Sequence, residues 1–411
     1  MKKIEKNILC IFIILCPILD MMSFIFRNAF HTNISPSTFL RPIIPTIAIL
    51  YLFLKMDKKF KIRLSLIGAI YAVYEILHLL VFRSVITGSS YGGITHEAQY
   101  IINYSYMIVN LILYITVFQD EEDIGKLSKS VLIANVIYMT SILIAIVTKT
   151  SSSTYIEGMG YKGWFESGNS LGSILILSLF MTIKYIKDSK YRKIAIPTIL
   201  AEGIFLCTLL GTRVGLLGFI LVVILYVIVE TIMTLKQKGK INKKVIAGGL
   251  MAVITIIIVV ITVGSSTLQR RKHLQDIEKN IVDTEKQEQS HVTGSILEIK
   301  EKIDANTLEE GYMGQAEKQS ILDLYEIANQ WNIKNNDQRM QQLIYNIVLV
   351  KNQHNPIYVL LGNGHVANFR ELVIEMEIPA FLFNFGVIRI YTLLYTICYD
   401  FYLWWLFHDK V

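Results

Sequence analysis

Cysteine is nearly missing from this chain: 411 residues contain four, Cys10, Cys16, Cys207 and Cys398. All four fall in apolar stretches, so they supply neither a disulfide framework nor a metal cluster. The signatures of soluble enzymes are missing too. There is no phosphate-loop glycine pattern, no His-Glu-x-x-His, no Gly-x-Ser-x-Gly and no carboxylate-rich metal motif. No internal repeat and no low-complexity tract is present. Polar sequence is itself scarce, with 18% charged residues against 53% hydrophobic ones. A mean hydropathy of +0.46 excludes an ordinary soluble domain for most of the chain. No metal and no cofactor is expected.

What is present is a series of apolar blocks. A helix needs ~20 apolar residues to cross the hydrocarbon core. Ten stretches qualify: 8–27, 38–54, 62–82, 100–118, 130–148, 167–186, 194–212, 214–235, 245–263 and 379–407. Backbone groups cannot stay unpaired in lipid, and these blocks lack the alternation of barrel strands, so helices are predicted. The expected fold class is all-α, a polytopic membrane bundle of about ten transmembrane helices. The first span has a basic start, Lys2, Lys3 and Lys6, but no small-x-small cleavage site follows Asp20. It reads as a retained anchor.

Basic loops set the orientation. Lys55, Lys58, Lys59, Lys61 and Arg63 lie between spans two and three; Lys184, Lys187, Lys190, Arg192 and Lys193 between six and seven; and Lys236, Lys238, Lys240, Lys243 and Lys244 between eight and nine. These loops and both termini are expected on the cytoplasmic side, although the acidic loop at 119–129, placed there by parity, votes weakly against. The formal net charge of +7 then reflects topology in a cell membrane, with membrane lipids as neighbours and no nucleic acid as partner.

One polar segment is long enough to fold by itself. The expected organisation is 1–264 as spans one to nine, 265–376 as a large external loop, and 377–411 as the last span and a short cytoplasmic tail. Within the loop, Leu274, Ile277 and Ile281 fit a modest helical stripe. Ile321, Leu324, Tyr325 and Ala328 recur at helical spacing, as do Leu343, Ile344, Ile347 and Val348. Asn355-Pro356 ends the second of these helices, and Gly362-Asn363-Gly364 follows. A mostly helical cap of about 110 residues is predicted.

With cytoplasmic loops of about 10 residues, any chemistry is external or intramembrane, where nucleotides are lacking; a lipid-linked donor fits that constraint. Gly211-Thr212-Arg213 places a guanidinium at the head of a helix, where the partial positive end also attracts anions. It can grip a diphosphate through paired hydrogen bonds or snorkel to lipid headgroups. Arg339 is a second candidate phosphate contact, or a solvated surface charge. Glu375 and Glu377 flank Met376 at the membrane boundary, where a partly desolvated carboxylate could serve as general base; the alternative is an ordinary acidic helix start. His365 is a competing base. Asp20, Glu75 with His78, Glu202 and Arg389 fall inside spans. Such residues mark an ion path, a sugar-binding cavity or structural pairing. Trp164, Tyr312 and Trp331 could stack on sugar faces or pack the cap.

Four segments, in order, resemble one family, the O-antigen ligase and Wzy-type polysaccharide polymerase superfamily. Gly163-Trp164-Phe165-Glu166-Ser167-Gly168-Asn169-Ser170-Leu171-Gly172 resembles its glycine-to-asparagine entry to a middle span. Gly211-Thr212-Arg213-Val214-Gly215-Leu216-Leu217 is similar to its Gly-Thr-Lys/Arg turn. Asp337-Gln338-Arg339, then Asn355-Pro356 and Leu361-Gly362-Asn363-Gly364, resembles the arginine-helix-proline-Gly-x-Gly pattern of its large external loop. Glu375-Met376-Glu377 with Phe383-Asn384-Phe385-Gly386-Val387-Ile388 resembles its acidic re-entry motif.

The resemblance implies a C-type glycosyltransferase-like fold and transfer of glycans carried on undecaprenyl diphosphate, without metal or nucleotide. Arg213 and Arg339 would bind the diphosphate, and Glu375 or Glu377 would activate the acceptor hydroxyl. Asn169, Glu75 and Arg389 are candidates for a substrate cavity. Carboxylates where ligases of the family tend to have histidine favour a repeat-unit polymerase for capsule, exopolysaccharide or O-antigen. A ligase passing a finished glycan to a wall or lipid acceptor, and a flippase or transporter, are the rivals. A flippase and a chain-length regulator are the expected protein partners. Arg389 departs from the family, which often has glycine there, and the chain stops at Val411 where many relatives continue.

Overall fold

The computed structural model describes residues 3–31, 36–85, 93–118, 120–155, 159–183, 185, 190–238, scattered positions in 246–261, then 265–273, 295–308, 312–333, 338–364, 372, 374 and 379–391. His365, Glu375, Glu377, Asp337, Cys398, the stripe from Leu274 to Ile281 and most of the expected ninth and tenth spans lie outside the described residues. Two compact units form: Met1–Ile49 with Val109–Thr284, and Leu50–Ile108 with Glu285–Val411.

The first unit is built from helices α1 (Lys3–Phe30), the start of α2 (Pro36–Lys55), the end of α4 (Gly93–Val117), α5 (Glu121–Val147), α6 (Gly168–Ile183), α7 (Arg192–Ile204) and α8 (Arg213–Lys238). A two-stranded antiparallel hairpin, β1 (Ser152–Ser153) and β2 (Tyr161–Gly163), joins α5 to α6. Helix α5 packs along both α1 and α6, and α6 also packs on α8. Leu171, Leu175 and Leu179 recur every four residues along α6 and are buried with Ile142, Phe165, Leu206 and Phe219. Leu177, on the opposite side, is 73% exposed, as suits a face turned to lipid rather than water.

Five helices among the described residues are long and apolar enough to cross a membrane: Lys6–Phe30, Lys61–Arg83, Gly93–Val117, Glu122–Val147 and Arg213–Ile232. Two shorter apolar helices, Gly168–Ile183 and Pro379–Tyr391, fall below that length. The predicted span at 194–212 takes a different form. Helix α7 gives way to a π turn over Phe205–Leu209, where the Leu210 N–H reaches the Phe205 carbonyl five residues back at 2.9 Å.

The second unit holds α3 (Lys58–Val85), the start of α4, four helices of the polar insert and α13 (Pro379–Tyr391). The insert helices are α9 (Ser295–Asp304), α10 (Gln315–Gln330), α11 (Gln338–Asn352) and α12 (Ile357–Leu361). A core of Ile296, Ile299, Ile321, Leu324, Ala328, Ile344, Tyr345 and Leu349 holds α9, α10 and α11 together. Glu317 accepts the Gly314 N–H at 2.8 Å and closes the head of α10. The α11 stripe is rotated from the predicted one: Gln341, Ile344, Tyr345, Val348 and Leu349 are buried, whereas Ile347 is 48% exposed. Tyr345 and Leu349, four residues apart, turn the face toward the cap core.

Helix α13 carries a left-handed glycine inside its apolar run. Gly386 has φ +77°, and a Cβ there would lie 2.2 Å from the Leu360 carbonyl oxygen, so only glycine fits. Carbonyls just before Gly386 also take partners from outside the helix. Asn363 and Gly364 supply N–H groups to the carbonyls of Phe383 and Asn384, each at 2.8 Å. The Tyr74 hydroxyl donates to the Phe385 carbonyl. The Gly362-Asn363-Gly364 segment is thus bonded to the α13 backbone beside Gly386.

Candidate functional site

In the first unit, α6 and α8 begin side by side. Ser167 caps α6 by accepting the Ser170 N–H at 3.2 Å, and Thr212 caps α8 by accepting the Gly215 N–H at 3.0 Å. The two starts touch: a Cβ on Gly172 would stand 3.5 Å from Thr212 Oγ1. Gly211 takes φ +80°, and its missing Cβ would press to 3.3 Å from Gly160 Cα of the hairpin. That close approach fixes the turn and leaves Arg213 exposed as the first residue of α8, with Asn169 exposed near the start of α6.

A third segment, 265–273, docks on the same end. Ser265 Oγ donates to the Cys207 carbonyl at 2.9 Å, within the π turn, and Thr267 Oγ1 to the Thr212 carbonyl at 3.3 Å. This docking carries the Arg270 guanidinium to 3.3 Å from the centroid of the Tyr155 ring, a cation–π contact. Tyr155 in turn places its hydroxyl 3.5 Å from Asn169 Oδ1. Asn169, Arg213, Tyr155 and Arg270 therefore share one end of the unit. Two guanidinium groups and two helix N-termini there favour an anion. Sequence reasoning singled out Asn169 and Arg213 and passed over Tyr155 and Arg270. The readable signal was Ser265-Ser266-Thr267, three small hydroxyl residues directly after an apolar block and three positions ahead of Arg270.

In the second unit, Arg339 is the second residue of α11 and exposed. Glu75 and Arg389 are buried and meet: Arg389 Nη1 is 3.2 Å from Glu75 Oε1, and Nη2 donates to the Tyr71 hydroxyl at 2.7 Å. The guanidinium carbon also lies 4.2 Å from the Phe385 ring centroid. One turn along α3, His78 is fully buried between the Leu361 carbonyl, 2.7 Å from Nδ1, and Glu97 Oε1, 2.8 Å from Nε2. A carbonyl only accepts, so Nδ1 carries a proton and Nε2 is the atom that shares one with Glu97. The aromatic candidates fall in three settings. Trp164 donates to Thr150 Oγ1 at 2.9 Å, Tyr312 packs against the cap core, and Trp331 ends α10 with 68% exposure. Among the described residues no group of three or more His, Cys, Asp or Glu could hold a metal ion.

A family model described as "O-antigen ligase like membrane protein" matches residues 2–410. No curated protein and no solved structure matches the chain.

Proposed function

Since the chain belongs to the family of O-antigen ligase like membrane proteins, we propose that it joins glycan repeat units carried on undecaprenyl diphosphate at the outer face of the cell membrane. The observation that supports this most is the shared end of α6 and α8. There Arg213 and Arg270 stand beside two helix N-termini, in a setting suited to a diphosphate. In the reaction, the acceptor hydroxyl oxygen bonds to the anomeric carbon while the bond from that carbon to the diphosphate oxygen breaks. The electron pair leaves with the diphosphate, and the hydroxyl proton passes to a carboxylate, for which Glu375 and Glu377 are the candidates. Arginines aimed at the leaving group act where negative charge grows, the interaction that speeds transfer. Arg339 is the proposed second diphosphate contact, and a flippase delivering the donor and a chain-length regulator are the proposed protein partners.

Transfer of a finished glycan to another acceptor is the second reading, favoured by the ligase in the family's description. Purified protein supplied with lipid-diphosphate repeat units distinguishes them on a gel. A ladder means polymerisation, a single transferred block means ligation, and failure to release lipid diphosphate rejects both. Arg213→Ala and Arg339→Ala are each expected to lower turnover by about a hundredfold or more, the scale for losing one preorganised donor at a developing charge. Wild-type chain lengths and rates in both variants would remove the two assignments.

A further inference from the structure

The first unit also contains a polar cavity away from its arginine-bearing end residues. It has a volume of about 200 Å³ and lies among α1, α2, α5 and the start of α6. Asp20, Ser23, Ser37, Arg41, Tyr138 and Ser170 line it. We propose that this cavity is a subsite for one neutral pyranose ring of the glycan, a deepening that rests on the glycan-transfer reading above.

Charge comes first. Arg41 Nη2 donates to Asp20 Oδ2 at 2.6 Å, and the Tyr138 hydroxyl donates to the same oxygen at 2.9 Å. The ion pair is therefore internal to the wall, and Oδ1 of Asp20 is left as an acceptor whose direction is already fixed. A second acid, Glu166, is answered by Arg27 at 3.1 Å. Matched charges select neither an anion nor a cation. They suit a neutral ligand whose groups both donate and accept, and sugar hydroxyls do both.

The remaining wall agrees. Ser23 Oγ lies 2.7 Å from Ser37 Oγ, and Ser170 sits at the exposed rim. Phe165 and Ile174 give the cavity an apolar side for the C–H face of a ring. Its volume is below the ~300 Å³ at which pockets for drug-sized ligands begin, a size that suits one ring. Position ties it to transfer. Ser167 and Ser170 of the first turn of α6 line this cavity, while Asn169 of the same turn meets Tyr155 at the arginine end. A ring held here would rest on the same turn of α6 that carries Asn169. Ionisable groups inside an apolar bundle are costly to keep, and a ligand accounts for a pair that lines an open cavity instead of packing shut.

The test uses the full-length protein in lipid nanodiscs free of glycoside detergent, with saturation-transfer NMR. The probes are methyl glycosides of neutral hexoses and N-acetylhexosamines, beside glucuronic acid and glucosamine. Wild type is expected to saturate at least one neutral glycoside and neither charged sugar. Ser170→Trp and Ile174→Trp, which fill the rim and the apolar side, are each expected to weaken that binding by about tenfold or more, with the thermal unfolding temperature kept as the check on folding. Arg213→Ala is expected to leave it unchanged. No neutral saturation in wild type, a preference for a charged sugar, or equal binding in both folded tryptophan variants overturns the subsite. No lipid donor enters this measurement. A surviving sugar signal with a failed ladder therefore rejects glycan transfer alone, and the reverse result rejects the subsite alone.

Discussion

Tyr345 lies fully buried in the cap core, and its hydroxyl has no hydrogen-bond partner among the described residues. A hydroxyl taken out of water without a partner costs about 1–3 kcal/mol. Burial, helped by the nearby charge of Glu317, pushes the phenol above its ordinary range. The folded state therefore holds the neutral form. Its contribution is fully present below the unfolded tyrosine range, near pH ~10, and is lost as pH rises beyond it. Tyr345→Phe keeps the ring and removes the orphan group, so a gain of about 1 kcal/mol is expected at neutral pH. The advantage over wild type should widen above pH ~10. Thermal unfolding of both proteins across this range checks it, and parallel curves would reject the assignment. The cap helices themselves were legible from residues such as Ile321, Leu324 and Ala328, because local periodicity alone places them. The outward turn of Ile347 was not, since the direction of the α11 face is decided by what packs against it.

At the scale of elements, the second unit depends on a close backbone approach to one helix. Gly386 leaves room on α13, and the Gly362-Asn363-Gly364 backbone bonds to the helix there. A glycine pair that far apart in sequence announces two turns but not their mutual bonding. The same limit applies to Arg389, which stands out in sequence as a charge within an apolar run. Its partner Glu75 is a long way back in the chain, and no spacing rule connects them. The π turn at Phe205–Leu209 was equally unreadable, because the segment that meets it begins only at Ser265. Since Glu75 and Arg389 are both buried, removing one leaves the other charge unanswered. Glu75→Gln and Arg389→Met are each expected to destabilise by about 3–5 kcal/mol, whereas the double replacement should recover most of it. Unfolding temperatures in one lipid system measure the cycle, and the ladder assay runs beside it. Recovery of both stability and chain growth assigns the pair to structure. Recovered stability with lost growth assigns it to substrate.

For the whole molecule, the proposed chemistry depends on which side of the membrane the arginine-bearing end of α6 and α8 faces. The physical reason to place it outside is the distribution of basic residues. Lys55, Lys58, Lys59, Lys61 and Arg63 cluster where α2 ends and α3 begins, Lys236, Lys238, Lys240, Lys243 and Lys244 cluster at and after the end of α8, and basic clusters between spans are retained on the cytoplasmic side. Arg213 opens α8 and the second of those clusters begins at its far end, so a single crossing of α8 puts the two on opposite faces. The cap, including the exposed turn at Asn306, should then be external. Substitution of Cys10, Cys16, Cys207 and Cys398 by alanine gives a background without thiols. In that background, Asn306→Cys is expected to react in intact cells with a maleimide that cannot cross the membrane. Lys59→Cys should react only after the membrane is opened. The opposite pattern would set Arg213 on the side that holds nucleotides, and the lipid-diphosphate donor would lose the physical reason for which it was chosen.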